Sequence, residues 1–385
     1  MLRFLSAGES HGPQLTVIVD GIPAGLDLDA ARDLDPDLRR RQGGHGRGKR
    51  QQIESDSASI SGGVRGGRTL GSPIAVTIVN RDWDNWKGPM QVAAEGFAKK
   101  AVTRVRPGHA DLAGILKHDL DDARDVLERA SARETAARVA AGGVAKALLA
   151  VTGVSISSHV VRIGEVVAAE QGGDVATGAV EESPVRCADP VAGMRMVEAI
   201  DAARAAGDTL GGTAVVAGHH VVAGLGSYAQ WDRRLDGRIA QAMCSIPSVK
   251  GVELGDALTA AASPGSAVHD RPAFTPERGF HHLSNRQGGL SGGVSNGEDV
   301  WARVHFKPIS TLLSPLRSVD VHTGEETNAH YERSDICVVP AGAVVAEAML
   351  ALVLAEALLE KFGGDSIGEL RRNIDSYRAT LGRLR

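Results

Sequence analysis

The sequence predicts a mixed α/β chain of the α+β type laid out in two similar layers, and three observations carry that expectation. Apolar runs at 14–19 and 74–79 precede a long alanine-rich helical stretch that reaches about residue 150. The middle of the chain repeats the order of sheet then helix: alternating apolar residues over 151–167, helical period over 194–206, a strand-like run at 211–226 and a helix at 235–243. Hydrophobic residues make up 43% of the chain and charged residues 23%, the balance of a globular protein with a sizeable core. Aromatics are only 3%, so that core leans on Val, Ala, Leu and Ile.

At 385 residues the chain exceeds the roughly 150 expected of one ordinary domain, which leaves one large domain or two fused halves. Cys187, Cys244 and Cys337 are far apart, which excludes a disulfide framework and a paired-cysteine metal signature. A reduced, cytoplasmic setting and no metal are expected. The first residues lack a basic segment, a long apolar run and a small-residue cleavage site, so no signal peptide is expected. The best candidate membrane span, 341–362, carries Glu347, Glu356 and Glu360 and reads instead as a buried helix ended by Gly363.

Taken in order, residues 14–19 alternate as a strand, and the Gly- and Pro-containing 20–25 turns into a helical stretch over about 29–38. Residues 39–50, RRRQGGHGRGKR, hold six Arg/Lys and four Gly with nothing apolar to bury, and read as a flexible cationic loop. Gly43-x4-Gly48-Lys49 approaches a P-loop, yet Arg50 stands where Ser or Thr would hold a metal, and no apolar strand precedes it. Aromatics for base stacking are missing and the chain carries a net charge of −4, which argues against a nucleic-acid partner. The loop suits a small anion, because a guanidinium offers a fork to phosphate or carboxylate. The plain alternative is a solvated surface loop.

Alternation over 53–60, a turn at 62–67 and the apolar 74–79 suggest strands and hairpins, while Trp83 and Trp86 sit in a polar stretch without an assignment. Ser131 followed by Glu134 is a capping box that opens the helix to about 150. Its first-turn N–H groups, with Arg129 and Arg133 beside them, favour an anion there; an ordinary capped helix is the alternative. The helix at 235–243 leads to the loop 245–251, which contains Pro247 and Ser248. Residues 284–297 are too rich in Gly and Asn to form an element, and either bring backbone close to a ligand or act as a mobile linker. A strand at 300–306 delivers Lys307-Pro308-Ile309-Ser310-Thr311, and Arg333-Ser334-Asp335-Ile336-Cys337 precedes the terminal helical region.

Two loops hold a histidine close to glycine and ionisable partners. Arg106-Pro107-Gly108-His109-Ala110-Asp111 places a cation, an imidazole and a carboxylate around a Pro-Gly turn, where Pro107 fixes its own φ and Gly108 takes φ > 0. Gly8-Glu9-Ser10-His11-Gly12 has the same chemistry. A single loop histidine is most often a surface imidazole, but two such loops point to catalysis.

These motifs, GESHG at 8–12, the Arg-Gly loop at 39–50, RPGHAD at 106–111, RASARET at 129–135, the glycine-rich 288–297, KPIST at 307–311 and RSDIC at 333–337, resemble the chorismate synthase family along nearly the whole chain. The resemblance implies a β-α-β-α sandwich of two related halves, about 1–150 and 151–385 within one domain, and a homotetramer. It implies tightly bound reduced FMN and the anti-1,4-elimination of phosphate and a C6 hydrogen from 5-enolpyruvylshikimate 3-phosphate to give chorismate. The family includes members that reduce their own flavin with NADPH, so NADPH is the candidate source of reducing equivalents. By the same similarity, His11 with Ser10 meets the leaving phosphate, His109 serves the reduced flavin, and Asp335 acts in removing the hydrogen. FMN would rest on Arg129, Ala130, Ser131, Pro247, Ser248, Gly292, Lys307, Pro308, Ile309, Ser310, Thr311 and Arg333. Substrate or NADP anions would meet Arg40, Arg41, Arg47, Arg106 and Arg133, with the triple arginine 39–41 leaving the register open by one residue. Two rival classes are an ordinary flavin oxidoreductase, which would consume NADPH with turnover, and a nucleic-acid binder using 39–50, whose binding would be steeply salt-dependent.

Overall fold

Two antiparallel sheets enclose a layer of helices, and each is built from apolar alternation that puts one face inward. The computed structural model describes residues 1–48, 54–169 and 177–382, so Lys49, Arg50 and Ile53 of the readings above lie outside the described residues. The first sheet runs Arg3–Ala7, Gln14–Asp20, Ile74–Val79, Ala58–Gly62. Leu15, Val17 and Val19 stand opposite Ile78, Val76 and Ile74, and all six are buried because period-2 alternation keeps them on one face. The second sheet runs Ser155–Ile163, Gly212–His219, Val300–Phe306, Val249–Leu254, with Val166–Val167 beside the first of these. Leaving out that short edge strand, both sheets follow the same spatial order of their strands: first, second, fourth, third.

Helix Thr135–Ala150 packs on the first sheet, helix Val339–Phe362 on the second, and the two pack on each other. Their contact is close because Gly142 faces Ala348, and a Cβ at 142 would overlap it. Val339–Phe362 is long and apolar enough to cross a membrane, but 89% of its most apolar window is buried inside the fold and it ends at Gly363, as a core helix should. The chain is thus α+β, with one main core cluster drawing on both sheets and the helices between them.

Several boundaries differ from the sequence reading. The helix expected over 29–38 continues as Asp35–Gln42, so Arg39, Arg40 and Arg41 are its last turn and the loop begins at Gly43. Arginine is a good helix former, and Gly43 and Gly44 supply the stop. The capping box is half made: the Ser131 hydroxyl accepts from Arg133 N, while Glu134 turns to Ser6 Oγ and Arg138 Nε. The charged partner one turn on outcompetes the Ser131 backbone. Ala132–Glu134 is therefore a 3₁₀ turn and the α-helix starts at Thr135. Helices Asp111–His118 and Ala123–Ala130 escaped the sequence reading, and the glycine-rich 284–297 contains a small hairpin, Leu290–Ser291 with Val294–Ser295.

On the outer face of the second sheet His159 is 2% exposed, and burial, then Arg186 and Arg303, push its pKa from 6.5 to about 4. Because the folded value is depressed, the unfolded chain binds the extra proton between those pH values. The stability contributed by the neutral ring is present above about 6.5 and is lost as pH falls toward 4. Urea unfolding at pH 7 and pH 5 should show about 2 kcal/mol of loss attributable to this residue. His159→Gln should narrow the gap between the two pH values, and an unchanged gap would clear His159 of the role.

Candidate active site

The functional loops converge on a cavity of about 370 Å³. Seventeen of the twenty-one residues picked out above line it: Ser10, His11, Arg41, Arg47, Arg106, His109, Ala130, Ser131, Arg133, Pro247, Ser248, Lys307, Ile309, Ser310, Thr311, Arg333 and Asp335. Among the described residues its wall carries six Arg/Lys side chains against three carboxylates, Glu54, Glu332 and Asp335.

Each histidine is held by a carboxylate that is itself held by an arginine. In the 106–111 turn Gly108 has φ 74°, which brings His109 Nδ1 to 2.5 Å from Asp111 Oδ1. Arg106 donates through Nε and Nη2 to the same carboxylate and through Nη1 to Thr311 Oγ1. Burial works against the Asp111 charge, but the bonds from His109 and Arg106 hold its carboxyl far below the usual range. Lys307 Nζ and Ser310 Oγ both donate to Gly108 O at 2.8 Å, tying the KPIST segment to this turn. In the other loop, His11 Nδ1 lies 2.9 Å from Glu128 Oε2, and Arg124 Nη1 donates to Glu128 Oε1 at 3.1 Å. Asn80 Nδ2 fixes that loop by donating to Glu9 O and Gly12 O.

The arginines divide by direction. Successive helical residues point about 100° apart, so Arg40 and Arg41 cannot share a target. Arg41 is 4% exposed, donates to Thr135 Oγ1 and Ala132 O, and stands 3.4 Å from Asp56. Burial lowers its pKa against the pull of Asp56, and Arg133 and Arg47 push the same way. Arg40 turns to Glu347, Asp37 and Glu181, away from the cavity. Arg40 is therefore off the cavity wall, contrary to its expected placement, and of the two neighbours Arg41 lines it.

Three other expected residues also lie off the wall. Arg129 reaches Ser6 O and Gly8 O and braces the first strand and its loop. Pro308 sits between wall residues without lining the cavity. Gly292 belongs to the small hairpin, beside Tyr228. Arg47 donates to Asp335 Oδ2 at 2.6 Å, with Gly48 N on Oδ1 at 2.6 Å, and Arg333 Nη2 donates to Asp82. Glu128, Asp56 and Glu332 were missed by sequence reasoning. They are single acids in helices or loops without a motif, and only their partners mark them.

An α+β fold with a cation-rich cavity and two imidazole–carboxylate pairs defines an enzyme that handles a small polyanion. The chorismate synthase family model matches residues 2–359, and the chain belongs to that family, whose members are lyases. It is similar to the chorismate synthase of Moorella thermoacetica, 56% identical over 99% of both chains. That of Desulforudis audaxviator is 55% identical over 100% of this chain and 98% of its own. A crystal structure of chorismate synthase superposes with a TM-score of 0.80 at 40% identity, covering 99% of this chain and 98% of that one.

Proposed function

We propose that this cavity eliminates phosphate from 5-enolpyruvylshikimate 3-phosphate to give chorismate, with reduced FMN held in the same cavity. The observation that carries the reading is the convergence, among the described residues, of six cationic side chains and two carboxylate-backed imidazoles on one cavity of about 370 Å³. A substrate with one phosphate and two carboxylates needs several fixed cations, and Arg41, Arg47, Arg106 and Arg133 are placed to supply them. Among the described residues, Arg47 Nε and Arg133 Nη2 are buried without a hydrogen-bond partner.

Ala130, Ser131, Pro247, Ser248, Lys307, Ile309, Ser310, Thr311 and Arg333 would hold the FMN. When bound, reduced flavin supplies electron density to the ring that loses phosphate. His11 places a proton at the departing phosphate, His109 holds one on the flavin side, and Asp335, positioned by Arg47 and Gly48 N, serves the removal of the C6 hydrogen. The same reading makes the chain one domain with a pseudo-repeat at about 1–150 and 151–385, supported by the shared strand order of its sheets. A cytoplasmic homotetramer with NADPH as the source of reducing equivalents completes it, on the strength of the family likeness.

Anaerobic turnover with and without dithionite-reduced FMN tests the reading. One phosphate and one chorismate should appear per substrate only with reduced flavin, with no net loss of NADPH; turnover without flavin, or stoichiometric NADPH consumption, would overturn it. Arg47, whose side chain is 10% exposed, gives a sharper check. Losing a desolvated charge partner costs about 2–5 kcal/mol, so Arg47→Ala should raise the substrate KM strongly while circular dichroism stays native. Unchanged kinetics would return the loop to a solvated surface.

A further inference from the structure

The groups that surround His11 come from four separate segments, and none of them lies in a motif of the sequence. Glu128, 2% exposed, accepts from the His11 backbone N at 2.9 Å and meets ring Nδ1 with both oxygens, at 3.0 and 2.9 Å. Its own carbonyl accepts from Ser10 N at 2.9 Å, so one residue fixes both the loop and the ring. Trp86 stacks on the imidazole with centroids 4.0 Å apart and planes 28° apart. Lys100 Nζ lies 3.9 Å from the centroid of that indole and Arg124 at 5.1 Å, which anchors the Trp in turn. Arg124 is shared between Glu128 and Glu332, the latter also bonded to His330.

A carboxylate can only accept, so the bond to Glu128 requires the proton on Nδ1. Burial opposes the Glu128 charge, but the bonds from His11 and Arg124 keep its carboxyl below the usual range. With Nδ1 committed, Nε2 is the ring nitrogen left for the cavity that His11 lines. The in-plane hold of Glu128 and the face-on hold of Trp86 together remove the rotations that would take Nε2 off line.

We propose that Glu128 is the positioning residue for His11, holding the ring through Nδ1–H so that, with Trp86 as a backing plate, the Nε2–H of the protonated ring is aimed at the leaving phosphate. The inference rests on the reading of His11 given above. An orienting carboxylate behind a working imidazole acts through geometry and by stabilising the protonated ring, so its loss lowers turnover far more than substrate binding.

Glu128→Gln keeps the shape but removes the negative charge behind the protonated ring and lets an amide N–H face Nδ1, which favours the neutral Nε2–H form, a far weaker acid. The variant should lose at least about tenfold in kcat with KM within about threefold of wild type. Nitrogen-15 spectra of histidine-labelled full-length protein, with the His11 signal assigned by its loss in His11→Ala, should show Nδ1 protonated in wild type and unprotonated in Glu128→Gln. Trp86→Leu should lower kcat while leaving the Nδ1–H signal in place, and it keeps the test alive if Glu128→Gln does not fold. Wild-type kcat, or an unchanged Nδ1 signal, in Glu128→Gln would overturn the proposal, as would wild-type kcat in Trp86→Leu where Glu128→Gln does not fold. His11→Ala separates the two levels: if it turns over at the wild-type rate, the reading of His11 fails, whereas a slow His11→Ala beside a normal Glu128→Gln sinks the positioning role alone.

Discussion

Alanine at His11 or at His109 is expected to lower the turnover number by at least about tenfold and by up to the roughly 10²- to 10⁴-fold that general acid–base groups typically contribute. Both variants should still bind substrate and FMN, because the arginines of the wall remain. Their effects on the flavin should differ. His109 is tied through Asp111 and Arg106 to Thr311, and its turn is tied through Gly108 O to Lys307 and Ser310, residues assigned to the flavin side. His11 instead sits on Glu128 and Trp86, on the Ser10 side. His109→Ala should therefore alter the absorbance of bound reduced FMN in the ternary complex, and His11→Ala should leave it nearly normal. Anaerobic titration of each variant reads this directly; wild-type turnover in both would end the catalytic assignment.

The second large effect lies away from the chemistry. Glu347, in the middle of helix Val339–Phe362, is 0% exposed and accepts from Arg40 through two nitrogens at 2.8 Å, Lys146 at 2.6 Å, Ser158 at 2.6 Å and Arg186 at 3.3 Å. Burial opposes its charge, but Lys146, Arg40 and Arg186 outweigh it and hold its carboxyl well below the usual range. Glu347→Ala leaves these cations without their shared partner, and breaking a buried pair from one side costs about 3–5 kcal/mol. Urea unfolding should show a lower midpoint at an unchanged slope. Below that transition KM should stay near wild type, since Arg40 serves this cluster and Arg41 the cavity. A strong rise in KM in Glu347→Ala, or in Arg40→Ala, would put Arg40 back among the substrate ligands.

Much of the molecule was determined by the sequence itself. Residues 300–306 read as a strand and form one with those bounds, because period-2 alternation is a local property that burial on one face reinforces. The apolar 341–362 reads as a core helix despite three glutamates and is one, because its length and its Gly363 stop are written in the chain. The Pro-Gly turn that presents His109 follows from backbone stereochemistry alone, as the φ of Gly108 bears out.

The tertiary structure decided what depends on direction and on distant partners. Which of Arg40 and Arg41 meets the cavity turned on helix continuation to Gln42 and a rotation of about 100° between neighbours, and no composition signal carries either. Whether Ser131 and Glu134 close a capping box was settled by Ser6 and Arg138 competing for the same carboxylate. Glu128 stands 117 positions from His11 and Asp335 stands 288 from Arg47, pairings that exist only once the two sheets and their helices are packed. Local rules fix which residues form strands, turns and helices, because the forces behind them act over a few residues. The assembly of a site from seven segments is fixed by burial of a shared core, and only the folded chain brings that to bear.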